Sequence, residues 1–213
     1  MNKARVLLAD DHTIVAEGLK GLLEDEFELV GTVGDGRALL ETARILDPDI
    51  IVADISMPLL NGIDALSHIK KEKIRARVIF LTMHADAQLA AHAFRQGAFG
   101  YLLKNSAGEE LIKAMHEVIE GRFYISPLIT KDVLTFLMEA SSRPEDQAVK
   151  LTPRQREVLQ LIAEGRTMKE IASILSISTR TVESHKYEMM ASLGVTTTAE
   201  LIQYAIRIGL VSV

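Results

Sequence analysis

The sequence has 213 residues, enough for one large domain or two small ones, and its 48% hydrophobic and 25% charged residues are an ordinary globular balance. Cysteine is absent, which excludes a disulfide framework, a thiolate metal site and a cysteine nucleophile. The net charge of -5 is uneven: residues 1–140 hold 15 Lys+Arg against 21 Asp+Glu, and residues 151–213 hold 7 against 6, so two units with different partners are expected.

The N-terminal run of MNKARVLLADD is stopped by two acids, and no later run approaches about 18 apolar residues. Neither a signal peptide nor a membrane span is expected, and the chain reads as cytoplasmic. Short Val/Ile/Leu-dense runs then alternate with amphipathic helical patterns. The strands are RVLLA (5–9), ELVGTV (28–33), IIVA (50–53), RVIFLT (77–82) and GYLL (100–103). Helices are expected near 13–24, 36–46, 62–72, 87–96 and 108–120. Five such alternations predict a doubly wound α/β fold, with a parallel five-stranded sheet covered on both faces. Gly34 and Gly36 lack the full G-x-G-x-x-G spacing, so a plain strand-to-helix turn is expected there.

A further helix is expected at 127–139, inside a connector running from 123 to 150 that ends in the polar, aperiodic SSRPEDQAVK. Helical signals resume at 151. Thr152-Pro153 with Gln155 reads as a capping box with proline at the first helical position. Gly165 ends that helix. Met168–Leu175, a short turn and Thr179–Leu193 follow, with Gly194 as the stop. Thr197 and Glu200 cap a last helix that reaches Ile208. Boundaries of 1–122, 123–150 and 151–213 follow from this pattern.

In a doubly wound sheet, functional groups gather beyond the carboxyl ends of the strands. Here the ends carry Asp10 and Asp11, Asp54, Thr82 and Lys104. For any one of them a solvated strand end is the bland explanation. Together, in the strand order 2-1-3-4-5, they place three carboxylates in one crevice with a lysine reaching across. Three such groups cannot all stay ionised without a cation. An all-oxygen set with room for water and phosphate suits Mg²⁺, and a carboxylate is a competent phosphoryl acceptor. His12 is explained by helix-start polarity, since Mg²⁺ prefers oxygen.

The pieces LLADD, DISMPLLNGID, FLTMH and GYLLK resemble the flavodoxin-like receiver domain of two-component response regulators, over about residues 4–120. The resemblance implies that Asp54 is the phosphoacceptor, charged by a sensor histidine kinase. It implies that Asp11, Asp54 and the Ser56 backbone carbonyl ligate Mg²⁺ directly, with Asp10 nearer the water shell. Thr82 and Lys104 would hold the phosphoryl group, and Tyr101 matches the switch aromatic that turns inward. The alternative for Tyr101 is a plain core aromatic. Lys104 precedes Asn105 where many receivers have proline, and a cis bond there costs about 3 kcal/mol more than at proline.

Met168–Leu193 reads as helix, turn, helix, a pair that can dock its second member in the DNA major groove or be an ordinary helical hairpin. The elements LTPRQREVL, TVESH and LGV resemble the LuxR-type (NarL/FixJ) helix-turn-helix. The resemblance implies that Thr179–Leu193 reads DNA, with Glu183, Ser184 and Tyr187 facing bases. Thr179 opens that helix, and Arg180, Thr181, His185 and Lys186 would face phosphates or groove walls. Ser192 and Gln155 stand where many relatives carry lysine and glutamate. Leu201, Ile202, Tyr204 and Ala205 match the family's dimerisation helix. A regulator that binds promoter DNA as a phosphorylation-induced homodimer and acts on the transcription machinery is therefore expected, rather than an enzyme. A dehalogenase-like phosphatase would need an acid two residues after its nucleophile, where this chain has Ser56. A receiver that binds only proteins would not carry the helix-turn-helix wording.

Overall fold

The computed structural model describes residues 3–140 and 151–211. The polar end of the expected connector, 141–150, lies outside the described residues. The chain divides into two compact units, residues 1–144 and 145–213.

In the first unit all five expected strands form with the expected bounds: β1 Arg5–Ala9, β2 Glu28–Val33, β3 Ile50–Ala53, β4 Arg77–Thr82 and β5 Gly100–Leu103. The helices between them are α1 Thr13–Leu23, α2 Gly36–Leu46, α3 Gly62–Lys71, α4 Ala87–Gln96 and α5 Ala107–Ile119. Every strand pair is parallel. The order is β2-β1-β3-β4-β5-β6, so the sheet has six strands rather than five. The additional strand is β6, Tyr124–Ile125, whose residues pair with Gly100 and Tyr101 of β5. Two residues give no periodicity to read.

Alternation along the buried strands divides the core. Leu7, Ala9, Ile51, Ala53, Phe80 and Tyr101 pack on one face with residues of α2, α3 and α4. Val6, Leu8, Ile50, Val52, Ile79 and Leu81 pack on the other with α1 and α5. After β6 comes α6, Pro127–Ala140, whose Ile129 and Val133 are buried in the first of these cores. The segment 123–140 therefore packs with the first unit.

Gly36 and Gly62 are needed for space rather than for unusual torsions. A Cβ on Gly36 would stand 1.9 Å from the Leu60 carbonyl oxygen, and one on Gly62 would stand 2.4 Å from that of Asp54. Among the described residues no peptide bond is cis, so Lys104-Asn105 is trans, inside a 3-10 turn spanning Lys104–Ser106.

The second unit contains α7 Pro153–Ala163, α8 Met168–Ile174, α9 Thr179–Leu193 and α10 Thr198–Arg207. Complete capping boxes start three of them: Thr152 with Gln155, Thr167 with Glu170, and Thr197 with Glu200. Each satisfies amide donors that the first helical turn leaves orphaned. Ser178 caps α9, and Gly194 at φ 68° ends it. Val158, Leu161, Ile171, Val182, Met189, Leu201 and Ala205 form the core. Because Leu201 and Ala205 are fully buried, the α10 positions open to another partner are the half-buried Ile202 and Tyr204 and the exposed Ile206.

Candidate functional site

Register builds the crevice. Ala9 pairs with Ala53, and the Asp54 amide donates to the Ala9 carbonyl at 2.8 Å, so Asp10 and Asp54 leave neighbouring strands together. One strand further on, Thr82 pairs with Leu103, which brings Lys104 to the same edge. Asp10 and Asp54 are only 5% and 4% exposed. Two carboxylates so buried need compensation. Lys104 supplies it: its Nζ lies 2.7 Å from Asp10 Oδ2 and 2.7 Å from Asp54 Oδ2. Burial by itself would lower the Lys104 ammonium, but its bonds to Asp10 and Asp54 prevail and the net shift is upward.

Asp11 is exposed and lies against His12, whose Nδ1 is 2.9 Å from Asp11 Oδ1 and 3.2 Å from Asp10 Oδ1. His12 occupies the N-cap position of α1 without a side-chain cap bond, so helix-start polarity is an incomplete account of it. Asp10, Asp11, His12 and Asp54 each present a ligand atom, all within 4.8 Å of one another. This cluster can hold a metal ion, and three of its four members are carboxylates.

The loop after Asp54 folds back on it. The Ser56 amide donates to Asp54 Oδ1 at 3.2 Å, and Asn61 caps α3, fixing Gly62 beneath the Asp54 carbonyl. His84 joins the remaining parts. Its amide donates to Thr82 Oγ1 at 3.2 Å, its Nε2 lies 3.1 Å from Ser56 Oγ, and its carbonyl accepts from the Tyr101 hydroxyl at 2.8 Å. Tyr101 is a fully buried core ring whose hydroxyl is tied to the site's edge. Burial first, then the charges of Asp86 and Asp54, push its phenol up, so it remains a donor. Thr82 and Tyr101 are connected to the crevice through His84, a residue with no signal of its own beyond its place two positions after Thr82.

In the second unit α8, the turn at Leu175–Ser178 and α9 form the expected helix-turn-helix, with Ile171, Ala172, Val182 and Met189 turned inward. Thr179, Arg180, Thr181, Glu183, Ser184 and Tyr187 are exposed, whereas His185 and Lys186 are half-buried. Arg154 ties α7 to this motif, donating to the Leu175 carbonyl at 2.6 Å and pairing with Glu157 at 3.0 Å. Gln155 Nε2 reaches Glu188 on α9 at 3.4 Å, a long bond. Ser192 spends its hydroxyl on the Met189 carbonyl at 3.0 Å. No helix among the described residues is long and apolar enough to cross a membrane.

A carboxylate crevice closed by lysine on a parallel sheet, carried on one chain with a helix-turn-helix, defines a DNA-binding response regulator. Residues 6–116 match the response regulator receiver domain, and residues 149–205 match the family described as bacterial regulatory proteins, luxR family. The chain belongs to the LuxR-type response regulators, a family of transcription regulators. It is 40% identical over 212 residues to the transcriptional regulatory protein MctR of Rhizobium johnstonii, covering 99% of this chain and 96% of that one. To the oxygen regulatory protein NreC of Staphylococcus carnosus it is 34% identical over 210 residues, 95% of this chain and 97% of that one. Among solved structures it is similar to RcsB of Salmonella enterica serovar Typhimurium bound to promoter P1flhDC with the phosphomimetic BeF3-. The TM-score is 0.62 and the identity 31%, over 95% of this chain and 98% of that one.

Proposed function

We propose that Asp54 accepts a phosphoryl group from a sensor histidine kinase in a Mg²⁺-dependent step, and that the phosphorylated chain binds promoter DNA as a homodimer in the cytoplasm, acting there on the transcription machinery. Residues 1–140 serve as the phosphoreceiver and 151–213 as the DNA reader. The observation that carries this is Lys104 Nζ at 2.7 Å from both Asp10 and Asp54. An ammonium poised over a buried carboxylate prepares the place where phosphoryl oxygens arrive.

The carboxylate of Asp54 attacks phosphorus, and the bond to the donor imidazole breaks as the acyl phosphate forms. Lys104 transfers its pairing from the carboxylates to the new phosphoryl oxygens. Thr82 turns its hydroxyl toward them once it no longer accepts from the His84 amide. The oxygen-rich set of Asp10, Asp11 and Asp54, with the Ser56 carbonyl, fits a hard divalent cation, and Asp11 and Asp54 would hold it directly. When bound, that cation supplies neutralisation of the phosphoryl charge. On the DNA side, exposed Glu183, Ser184 and Tyr187 lie on the recognition helix where base edges are read, with Thr179, Arg180, Thr181, His185 and Lys186 beside them for the backbone. The RcsB complex with promoter DNA supports this use of the motif.

Intact mass after incubation with acetyl phosphate tests the site. One phosphoryl group is expected with Mg²⁺ and none with EDTA. Labelling that persists in Asp54→Ala removes the assignment.

A further inference from the structure

Beyond the crevice, several functional elements converge on one serine. Ser126 follows β6 directly, is completely buried, and starts the turn into α6. Its amide donates to the Tyr101 carbonyl at 2.9 Å, and its carbonyl accepts from the Ile129 amide at 3.1 Å and the Thr130 hydroxyl at 3.0 Å. The side chain does more. Ser126 Oγ donates to Glu110 Oε2 on α5 at 2.6 Å and lies 3.2 Å from Ser106 Oγ. Ser106 closes the 3-10 turn that opens with Lys104.

Proton counting makes this cluster a two-way joint. A hydroxyl has one hydrogen to give. The short, charge-assisted contact to Glu110 takes the Ser126 proton, so Ser106 must be the donor between the two serines. Yet Ser106 Oγ also lies 3.2 Å from the Leu103 carbonyl. One proton faces two acceptors at equal, long distance, and a small rotation of the Lys104–Ser106 turn chooses between them. Tyr124 leans on the same carboxylate: burial, then the charge of Glu110 and a bond to it, raises its phenol.

We propose that Ser126, with Ser106 and Glu110, is the joint that transmits the position of Lys104 to α6, the arm leading in sequence to the DNA-binding unit. When Lys104 leaves the carboxylates for a phosphoryl group, its turn rotates and Ser106 commits its proton to one acceptor. The hydrogen bonding at the first turn of α6 changes with it. Ser126 is thereby a positioning residue for phosphorylation-dependent DNA binding. This rests on Asp54 being the phosphoacceptor.

The test uses the full chain and a duplex selected from a random library by wild-type protein treated with beryllofluoride. For wild type, Ser126→Ala, Ser106→Ala, the double variant and Glu110→Gln, three quantities are measured: phosphoryl uptake by intact mass, thermal unfolding, and the ratio of DNA Kd without and with beryllofluoride. Normal uptake is expected in all of them. Each single variant is expected to lose about 2-fold to 30-fold of the ratio, the range by which coupling residues act. The double variant is expected to lose no more than the worse single one, since the two serines act as a unit. A joint with a merely structural role would lower the melting temperature and weaken both affinities alike, leaving the ratio intact. An unchanged ratio in folded, phosphorylated Ser126→Ala overturns the inference. If Ser126→Ala fails to fold, the half-exposed Glu110→Gln decides in the same way. Absence of uptake in wild type would instead remove the Asp54 reading beneath it.

Discussion

Replacing Lys104 with methionine isolates what the ammonium does in the crevice. Methionine keeps an unbranched apolar stem of similar reach and removes the charge. In the native protein that charge lies 2.7 Å from two carboxylates whose side chains are 2% and 5% exposed, with the lysine itself at 6%. A geometry so close and dry belongs with buried pairs, in which losing one partner costs about 3 kcal/mol or more because the other charge is left uncompensated. At about 2–4 °C per kcal/mol for a unit of this size, the melting temperature of the first unit should fall by about 10 °C. The same vacancy of positive charge should draw a divalent cation more strongly. At a hundredfold excess over its Kd, a ligand specific to the folded state restores about 2.7 kcal/mol. Millimolar Mg²⁺ should therefore recover most of the loss in Lys104→Met and raise the wild type much less. Differential scanning fluorimetry across a Mg²⁺ series, with Ca²⁺ as a control, measures both effects. The native benefit should be flat with pH through neutrality. The Lys104 ammonium is raised above its ordinary 10.5, so its contribution is complete below that value and disappears only as pH climbs through the higher folded one. A variant as stable as wild type in EDTA, with an unchanged response to Mg²⁺, would refute the view that Lys104 compensates the buried acids.

Two further outcomes concern Gly62 and the acidic helix caps. Gly62→Ala places a Cβ 2.4 Å from the Asp54 carbonyl oxygen and 2.9 Å from the Phe80 ring; phosphoryl uptake by intact mass should fall at least tenfold, while heteronuclear spectra of the second unit stay unchanged. In the second unit, Glu170 and Glu200 are held below the ordinary carboxylate value of 4.5, chiefly by backbone amides of Thr167 for the first and of Thr196 and Thr197 for the second. Their capping contribution is thus present above that value and is lost as pH falls through the lower folded one, so amide exchange in the first turns of α8 and α10 should quicken below pH 4.5 and that of α7, capped by neutral Gln155, should not.

Much of this was legible because buried parallel strands are written as unbroken runs. RVLLA, IIVA, RVIFLT and GYLL left no ambiguity of type, and the residue after each run was already a chemical statement. Sequence also implied that Lys104 would reach into the crevice. That it bridges Asp10 and Asp54 together is a fact of register between β1 and β3, which no spacing along the chain encodes. His12 was obscured for a similar reason: it owes its role to what the fold places opposite it. The stripe on α10 illustrates the limit of periodicity. Leu201 and Ala205 declare an apolar face without saying which surface it meets, and they meet the core of their own unit. At β6 the signal failed outright, since two residues cannot alternate visibly and the polar run beyond α6 resembled the start of a linker. Ser126 carried no signal at all.

The charge distribution explains why the receiver must act through conformation. Residues 1–140 carry a net -6 and residues 151–213 a net +1. A phosphoryl group adds between about one and two further negative charges, which repel a polyanion wherever they sit. Direct electrostatics therefore works against tighter DNA binding on phosphorylation. The recognition helix cannot make up the difference, because Arg180 and Lys186 on α9 are matched by Glu183 and Glu188. With few phosphates neutralised per protomer, counterion release per copy is small, and two copies on paired half-sites would double it. A phosphorylation signal that has to increase binding while adding the wrong charge can do so only by shifting a population toward a dimer-competent arrangement. That requirement gives a physical role to a hydrogen-bonded joint beside Lys104, since such a joint converts the arrival of charge into a choice of geometry.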